Sequence, residues 1–418
     1  MMRRVIEYLR RKQNITIDDL VVEICSSTMY YKYLSKEKNM SCKNLKLIKE
    51  RLGADDLTQE EIGEFKKDLD KIIHNIMRYY ISKEAFEKDI APLIELEPQL
   101  LLCDELCIDY MIAKINFLLL ENNLDEISKL LNLLEEFFDK MSVTQKLFYF
   151  QLKIFLFNYL KEDIRELVNG FAILLENNKY NKDYGFFHIG LTLAYLKLKE
   201  RDKALHEIEV SLSLFIRDLN LIGQTKANNM KAFMIAESRN YDKAVELFIV
   251  NYNNTKQLNL VGEKFTALSN IISCYFGLND FNKAIKYWNK FLKEIEKIND
   301  VKIKEVILSN NAISLFSNFD YYNLDKQLKE LVILFKNNIN QNHILNHIIE
   351  YYSINEIEDK IDFIQSTFLP LITGKAHFTY CKWILDKCII YFNDRRMYKK
   401  VIDLETKYIE LFRKYYFN

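Results

Sequence analysis

The chain has 418 residues, of which 49% are hydrophobic and 28% charged, with only 9 glycines, 3 prolines and a formal net charge of zero. So few helix-breaking residues beside so much apolar material exclude a β-rich or disordered chain and point to an all-α protein with a large core. No run reaches about 18 uncharged apolar residues, which excludes a membrane span, and the charged start "MMRRVIEYLRRKQN" is not expected to be a secretion signal.

The charge is unevenly spread. Residues 1–52 hold twelve Lys/Arg and six Asp/Glu, a local +6 that leaves −6 for residues 53–418. A basic segment on an acidic body suggests a nucleic-acid-binding head. Arg3–Lys12 predicts a first helix. Thr16 caps a second, "IDDLVVEI", with Asp18 and Asp19 in the first turn, where the helix dipole favours acid. After a turn at Cys25, Ser26 or Ser27 caps a third helix running through Leu34. Ser41 begins a fourth, with Leu45, Ile48 and Leu52 as its apolar stripe, and Gly53 ends it.

Helix, tight turn, helix is the helix-turn-helix arrangement, whose second helix enters the major groove. Ser26, Ser27 and Thr28 stand at the N-terminal end of that helix, followed by Tyr30, Tyr31 and Lys32. Hydroxyls and lysine bond phosphates and reach base edges. Arg4, Arg11, Lys12, Lys36 and Lys38 are expected to add positive charge around them. The predicted organisation is a helix-turn-helix domain over 1–53, a linker over 54–66 and a repeat domain over 67–418.

The repeats are the clearest signal. "RDKALHEI" (201–208), "YDKAVELF" (241–248) and "FNKAIKYW" (281–288) align without gaps. Ala204, Ala244 and Ala284 are forty residues apart, as are Ile208, Phe248 and Trp288, and nine residues before each alanine lies Tyr195, Ile235 or Tyr275. A small residue lets the second helix of a pair approach the first, and the large residue four positions on shares its face. Weaker copies near Asp125, Asp163, Asp325, Asp359 and Lys399 extend the series, and a further pair starts near Lys67. A helical hairpin cannot bury its apolar face alone, so about eight such units stack. The Tyr…Ala…aromatic spacing resembles the tetratricopeptide repeat (TPR), with longer helices. The expected fold is therefore all-α, a helix-turn-helix head followed by a right-handed TPR-like α-solenoid.

An extended peptide buried in such a groove needs partners for its backbone N–H and C=O groups, and an asparagine amide both donates and accepts. The forty-residue register aligns Asn229, Ser269 and Ser309, then Met230, Asn270 and Asn310, with Asn228 before and Asn311 after them. One turn on, Phe233, Ser273 and Ile313 share the face of the first set. Asn228, Asn229, Phe233, Ser269, Asn270, Ser273, Asn310 and Asn311 are the predicted peptide-binding residues.

No catalytic constellation stands out, and neither an enzyme nor a cofactor is expected. His343 and His347 form HxxxH on a predicted helix, but Ile344-Leu345 replaces the start of the HExxH pattern and a third ligand is lacking. "LITGKAHF" (371–378) has GK without the rest of a P-loop. Cys103 with Cys107, and Cys381 with Cys388, read as core residues sharing a helical face. Seven cysteines without CxxC fit reduced thiols in the cytoplasm.

Head and repeats together resemble the peptide-pheromone-responsive RRNPP-type regulators (Rgg, Rap, NprR, PlcR and PrgX) of Gram-positive bacteria and their phages. The resemblance covers the whole chain as architecture, and phage arbitrium receptors share it. Ile24-Cys25 before the third helix looks like the PlcR branch, whereas Leu34 and Lys36 stand where members usually carry an acidic residue and a glycine. The resemblance implies a short imported signalling peptide bound on the concave face of the repeats. It also implies a homodimer acting on double-stranded DNA at a palindromic operator. Its alternative form is a Rap-like adaptor that sequesters a protein partner and carries a vestigial head.

Overall fold

The computed structural model describes residues 2–78, 83–121, 123–156, 164–339, 343–354, 357–363 and 395–416, with single positions 366, 389, 392 and 393 between the last two stretches. All regular structure in these residues is helical, as the scarcity of glycine and proline requires. The chain forms two compact units, Met1–Phe157 with Asp163–Gly223, and Asn158–Glu162 with Gln224–Asn418.

The first unit opens with α1 (Met2–Lys12), α2 (Ile17–Val21), α3 (Ser27–Leu34) and α4 (Cys42–Arg51). The predicted caps are in place: Thr16, Ser26 and Ser41 accept hydrogen bonds from the backbone N–H of Asp19, Met29 and Asn44. Helix α2 stops at Val21, three residues short of the expected end, because Glu23 turns the chain at φ 62°. The Arg51 guanidinium then satisfies the freed carbonyls of Asp19, Leu20 and Val22. Val5, Ile6, Leu9, Leu20, Tyr30 and Ile48 form the core of this head.

Helix α5 (Gln59–Arg78) begins inside the segment expected to be a linker. Thr58 and Glu61 form a capping box: Glu61 accepts from the Thr58 backbone N–H, and Thr58 Oγ1 accepts from the Glu61 N–H. That leaves only residues 54–58 as the connection. Next come α6 (Lys83–Glu95) and α7 (Glu97–Leu102), which break at Leu96 with Pro98 in the first turn of the new helix. Cys103 follows α7 and Cys107 opens α8 (Cys107–Glu121), so the two thiols do not share a helix face, contrary to the sequence reading. The remaining hairpins of this unit are α8 with α9 (Leu124–Glu135), α10 (Val143–Leu156) with α11 (Ile164–Glu176), and, after the short α12 (Lys179–Lys182), α13 (Gly185–Lys197) with α14 (Arg201–Arg217).

The second unit takes most of α15 (Leu221–Glu237), then α16 (Tyr241–Gln257), α17 (Val261–Gly277), α18 (Phe281–Glu296), α19 (Val301–Tyr321) and α20 (Asp325–Lys336). Helices α21 (His343–Ser353), α22 (Ile357–Phe363) and α23 (Tyr398–Tyr416) follow. Ala204, Ala244 and Ala284 are completely buried, and Ile208, Phe248 and Trp288 nearly so. Each large side chain contributes about 2–3 kcal/mol of apolar burial to its hairpin. The first helices end in a repeated left-handed closure. Lys199, Arg239 and Asn279 have φ of 62°, 62° and 57°, and the next N–H bonds the carbonyl five residues back, at Tyr195, Ile235 and Tyr275. This is a TPR-like α-solenoid.

Several sequence readings fall outside the described residues: the GK segment, Cys381 and Cys388, the repeat mark at Asp163, and the side chains of Ile313 and His343. His347 pairs with Glu350, 3.2 Å away. Among the described residues no metal-ligand cluster is present, and no helix is long and apolar enough to cross a membrane.

Candidate functional site

In the second unit, helix α17 is buried on most of its circumference. Leu268, Ser269, Ile271 and Ile272 are covered, whereas Thr266, Asn270 and Ser273 are only partly so. Those three recur at i, i+4 and i+7 and define the open face of the helix. The forty-residue register carries the same face to Val306 and Asn310 on α19, both exposed, and to Lys226, Met230 and Phe233 on α15. Helices α17 and α19 are locked side by side by a polar cluster. Ser273 Oγ and Ser314 Oγ lie 2.8 Å apart, and Asn318 Nδ2 donates both to Ser273 Oγ, at 2.9 Å, and to the Ser314 carbonyl, at 2.7 Å.

The predicted peptide-binding residues divide accordingly. Asn270 and Asn310 sit on the open face, and the amide of neither has a hydrogen-bond partner among the described residues. Phe233 is 48% exposed. Asn228 and Asn229 are half-buried, and Asn229 Oδ1 is an orphaned buried acceptor. Ser269 is buried with its hydroxyl unpartnered. Ser273 is committed to the cluster with α19. Asn311 points inward, its amide donating to the Ile307 carbonyl one turn back at 2.8 Å, so it belongs to the core and not to the open face.

The sequence reading did not single out Thr266, Val306 or Lys226. Lys226 lies 4.0 Å from Glu263, and burial pushes its ammonium below the ordinary lysine range while Glu263 opposes that. Asn251 on α16 was also missed; it is 1% exposed with both side-chain polar atoms unpartnered. Its register mates gave the clue: Ser211 donates to the Gly185 carbonyl, and Phe291 packs on Phe265 at 5.0 Å, each against the first helix of its own hairpin. Together the open face offers amides for a peptide backbone and Met230, Phe233 and Val306 for apolar side chains.

In the head, Thr28, Tyr31, Lys32, Lys36 and Lys38 are exposed. Ser26 is exposed but spends its oxygen on the α3 cap, and Ser27 donates to Asp18 at 2.5 Å. Tyr30 is fully buried, its hydroxyl 3.4 Å from Glu7 and its pKa raised by burial, so it packs the head core. Lys12 is tied to the body of the unit. Its ammonium bonds Glu97 at 2.7 Å and Glu126 at 2.8 Å, because α1 lies against α7 and α9. Arg4 faces Glu136 at 3.7 Å, and Arg11 bonds Glu7 at 2.6 Å. Arg4, Arg10, Arg11 and Lys12 of α1 thus meet acids of the same unit.

No protein-family model matches the chain, and no curated protein matches it. Solved structures do. The apo form of the quorum sensor NprR from B. thuringiensis is 16% identical, with a TM-score of 0.59 over 84% of this chain and 99% of that one. NprR in complex with its cognate peptide NprX is 16% identical, with a TM-score of 0.52 over 84% and 100%. A Rap protein complexed with Competence and Sporulation Factor is 13% identical, with a TM-score of 0.55 over 84% and 99%. The likeness is one of fold, and it is the fold that the RRNPP-type resemblance implied.

Proposed function

We propose that the chain is a cytoplasmic, non-enzymatic peptide-responsive regulator. A short signalling peptide lies extended along the open face of α15, α17 and α19, and its binding controls the head. Asn270 and Asn310 pair with the peptide backbone, while Phe233 and Val306 take its apolar side chains. The observation that carries this reading is the recurrence, every forty residues, of partly or fully exposed positions on the first helices α15, α17 and α19, each of which also carries buried residues. Asn270, Asn310 and Phe233 on that face give a peptide amides to pair with and a ring to pack on. The fold likeness to NprR with its peptide NprX supports the same reading.

The output is transcriptional in this account. A homodimer sets two heads on a palindromic DNA site, and peptide binding shifts the population between head arrangements. The exposed Thr28, Tyr31 and Lys32 support this output. One observation favours the adaptor alternative: the charges of α1 are spent within the unit, which fits a head retained as a fixed part of the body.

The test is affinity selection of a random octapeptide library on the full chain, followed by duplex-binding assays with and without the selected peptide. Enrichment of a defined peptide that changes duplex affinity supports the regulator. Enrichment with no duplex binding in either state transfers the reading to the adaptor, and no enrichment removes both.

A further inference from the structure

The twelve cations of residues 1–52 fall into two sets. Seven are engaged. Arg3 bonds Asn39 and covers the Tyr33 ring; Arg4 faces Glu136; Arg10 and Arg11 share Glu7. Lys12 joins Glu97 and Glu126, Lys49 lies 3.6 Å from Asp56, and Arg51 caps α2. The other five, Lys32, Lys36, Lys38, Lys43 and Lys46, are all exposed and have no partner among the described residues.

These five are confined to fifteen consecutive residues running from the last turn of α3 to the middle of α4. The only acid in that stretch is Glu37, giving five minus one, or +4, and Glu37 already accepts from the Ser35 hydroxyl at 2.8 Å. The connection is folded back, with the Lys38 N–H bonded to the Lys32 carbonyl at 3.1 Å, so its lysines stay beside the end of α3. Lys43 and Lys46 are one turn apart on one side of α4, behind the Ser41 cap.

We infer that this lysine band, including Lys43 and Lys46, is the surface of the head that meets the phosphates of a nucleic-acid duplex, and that α1 takes no part. The inference rests on reading the head as a DNA-binding module and names its contact surface. The band fits a duplex better than a membrane: Lys32, Lys43 and Lys46 stand on capped helices, Lys36 and Lys38 on the folded-back connection between them, and Tyr31 is the only large apolar side chain exposed between residues 26 and 52. A membrane anchor needs a broader apolar face. Duplex DNA presents a charge about every 1.7 Å along its axis, and each neutralised phosphate adds about 0.9 to the salt dependence of binding.

The experiment follows fluorescence anisotropy of a mixed-sequence duplex with the full chain between roughly 50 and 200 mM salt. Wild type, Lys43→Gln/Lys46→Gln and Arg4→Gln/Arg11→Gln are compared, with circular dichroism melts to confirm folding. The lysine pair is expected to flatten the log–log salt slope by about two, and the arginine pair to leave it unchanged. The reverse pattern overturns the surface while leaving DNA binding intact. A wild type with no salt-dependent duplex binding overturns both, as does binding only to anionic phosphatidylserine vesicles.

Discussion

Lys12 Nζ lies 2.7 Å from Glu97 Oε2, a contact spanning 85 positions that ties the first helix of the head to α7. Glu97 also holds Lys114 of α8, and Glu126 of α9 accepts from both Lys12 and the Tyr8 hydroxyl. Two cations, two carboxylates and a phenol from four helices meet in one cluster, with Glu97 and Lys114 buried at its centre and Lys12 at its exposed edge. Burial pushes the Lys114 ammonium down to about 8 against the pull of Glu97. Head and body of the first unit are therefore one ionic structure.

Glu97→Ala is expected to leave the Lys12 and Lys114 ammoniums facing each other without their shared carboxylate. Removing one member of a buried ion cluster costs about 3 kcal/mol. Hydrogen exchange of the α1 amides should accelerate by roughly a hundredfold. Unchanged protection would show that apolar contacts alone hold the head.

Acid sensitivity of the second unit should depend on Glu294. Hydrogen bonds from Lys297 and Lys264, at 2.8 and 2.9 Å, hold its carboxyl down at about 2. A depressed carboxylate pKa gives stability that is present above the unfolded value, near pH 4.5, and is lost as pH falls towards about 2. Thermal midpoints recorded across that window should fall less steeply for Glu294→Gln than for wild type.

The ring of Phe215 is held between two glycines. A Cβ on Gly223 would lie 2.6 Å from the Cγ and Cε1 of that ring, and one on Gly185 2.9 Å from its Cε1 and Cζ. Phe215 is 2% exposed and has no room to retreat. Gly→Ala ordinarily helps a helix by up to about 1 kcal/mol, but here overpacking should reverse the sign and destabilise by about 2 kcal/mol. Calorimetric melting of Gly223→Ala checks this, and Phe215→Leu in that background should restore part of the loss.

Leu219 closes α14 at φ 52° while 83% exposed. A branched side chain in the left-handed region costs about 1 kcal/mol and gains nothing from burial here. Leu219→Gly should raise the melting temperature, whereas Leu219→Val should lower it.

The periodic features were legible in the sequence because they are local. Ala204, Ala244 and Ala284 announce the close approach of paired helices, and Thr16, Ser26 and Ser41 announce helix starts within four residues of the groups they cap. The partners of Lys12 were not legible, since Glu97 and Glu126 are brought to it by tertiary packing that no local pattern encodes. The same limit separates Asn310 from its neighbour Asn311. Successive helical residues differ by about 100° in direction, so the register located the pair but did not fix which amide faces outward. The linker was misjudged because its polar composition concealed the Thr58–Glu61 capping box.

The central claim is that the open face of α15, α17 and α19 binds an extended peptide through its amides. Calorimetric titration of the library-selected octapeptide into wild type, Asn270→Ala and Asn310→Ala tests it most directly. Each substitution removes the paired groups for one backbone unit without touching the core, so affinity should fall about tenfold, or 1.4 kcal/mol, with melting temperatures unchanged. Wild-type affinity in both variants would contradict the account.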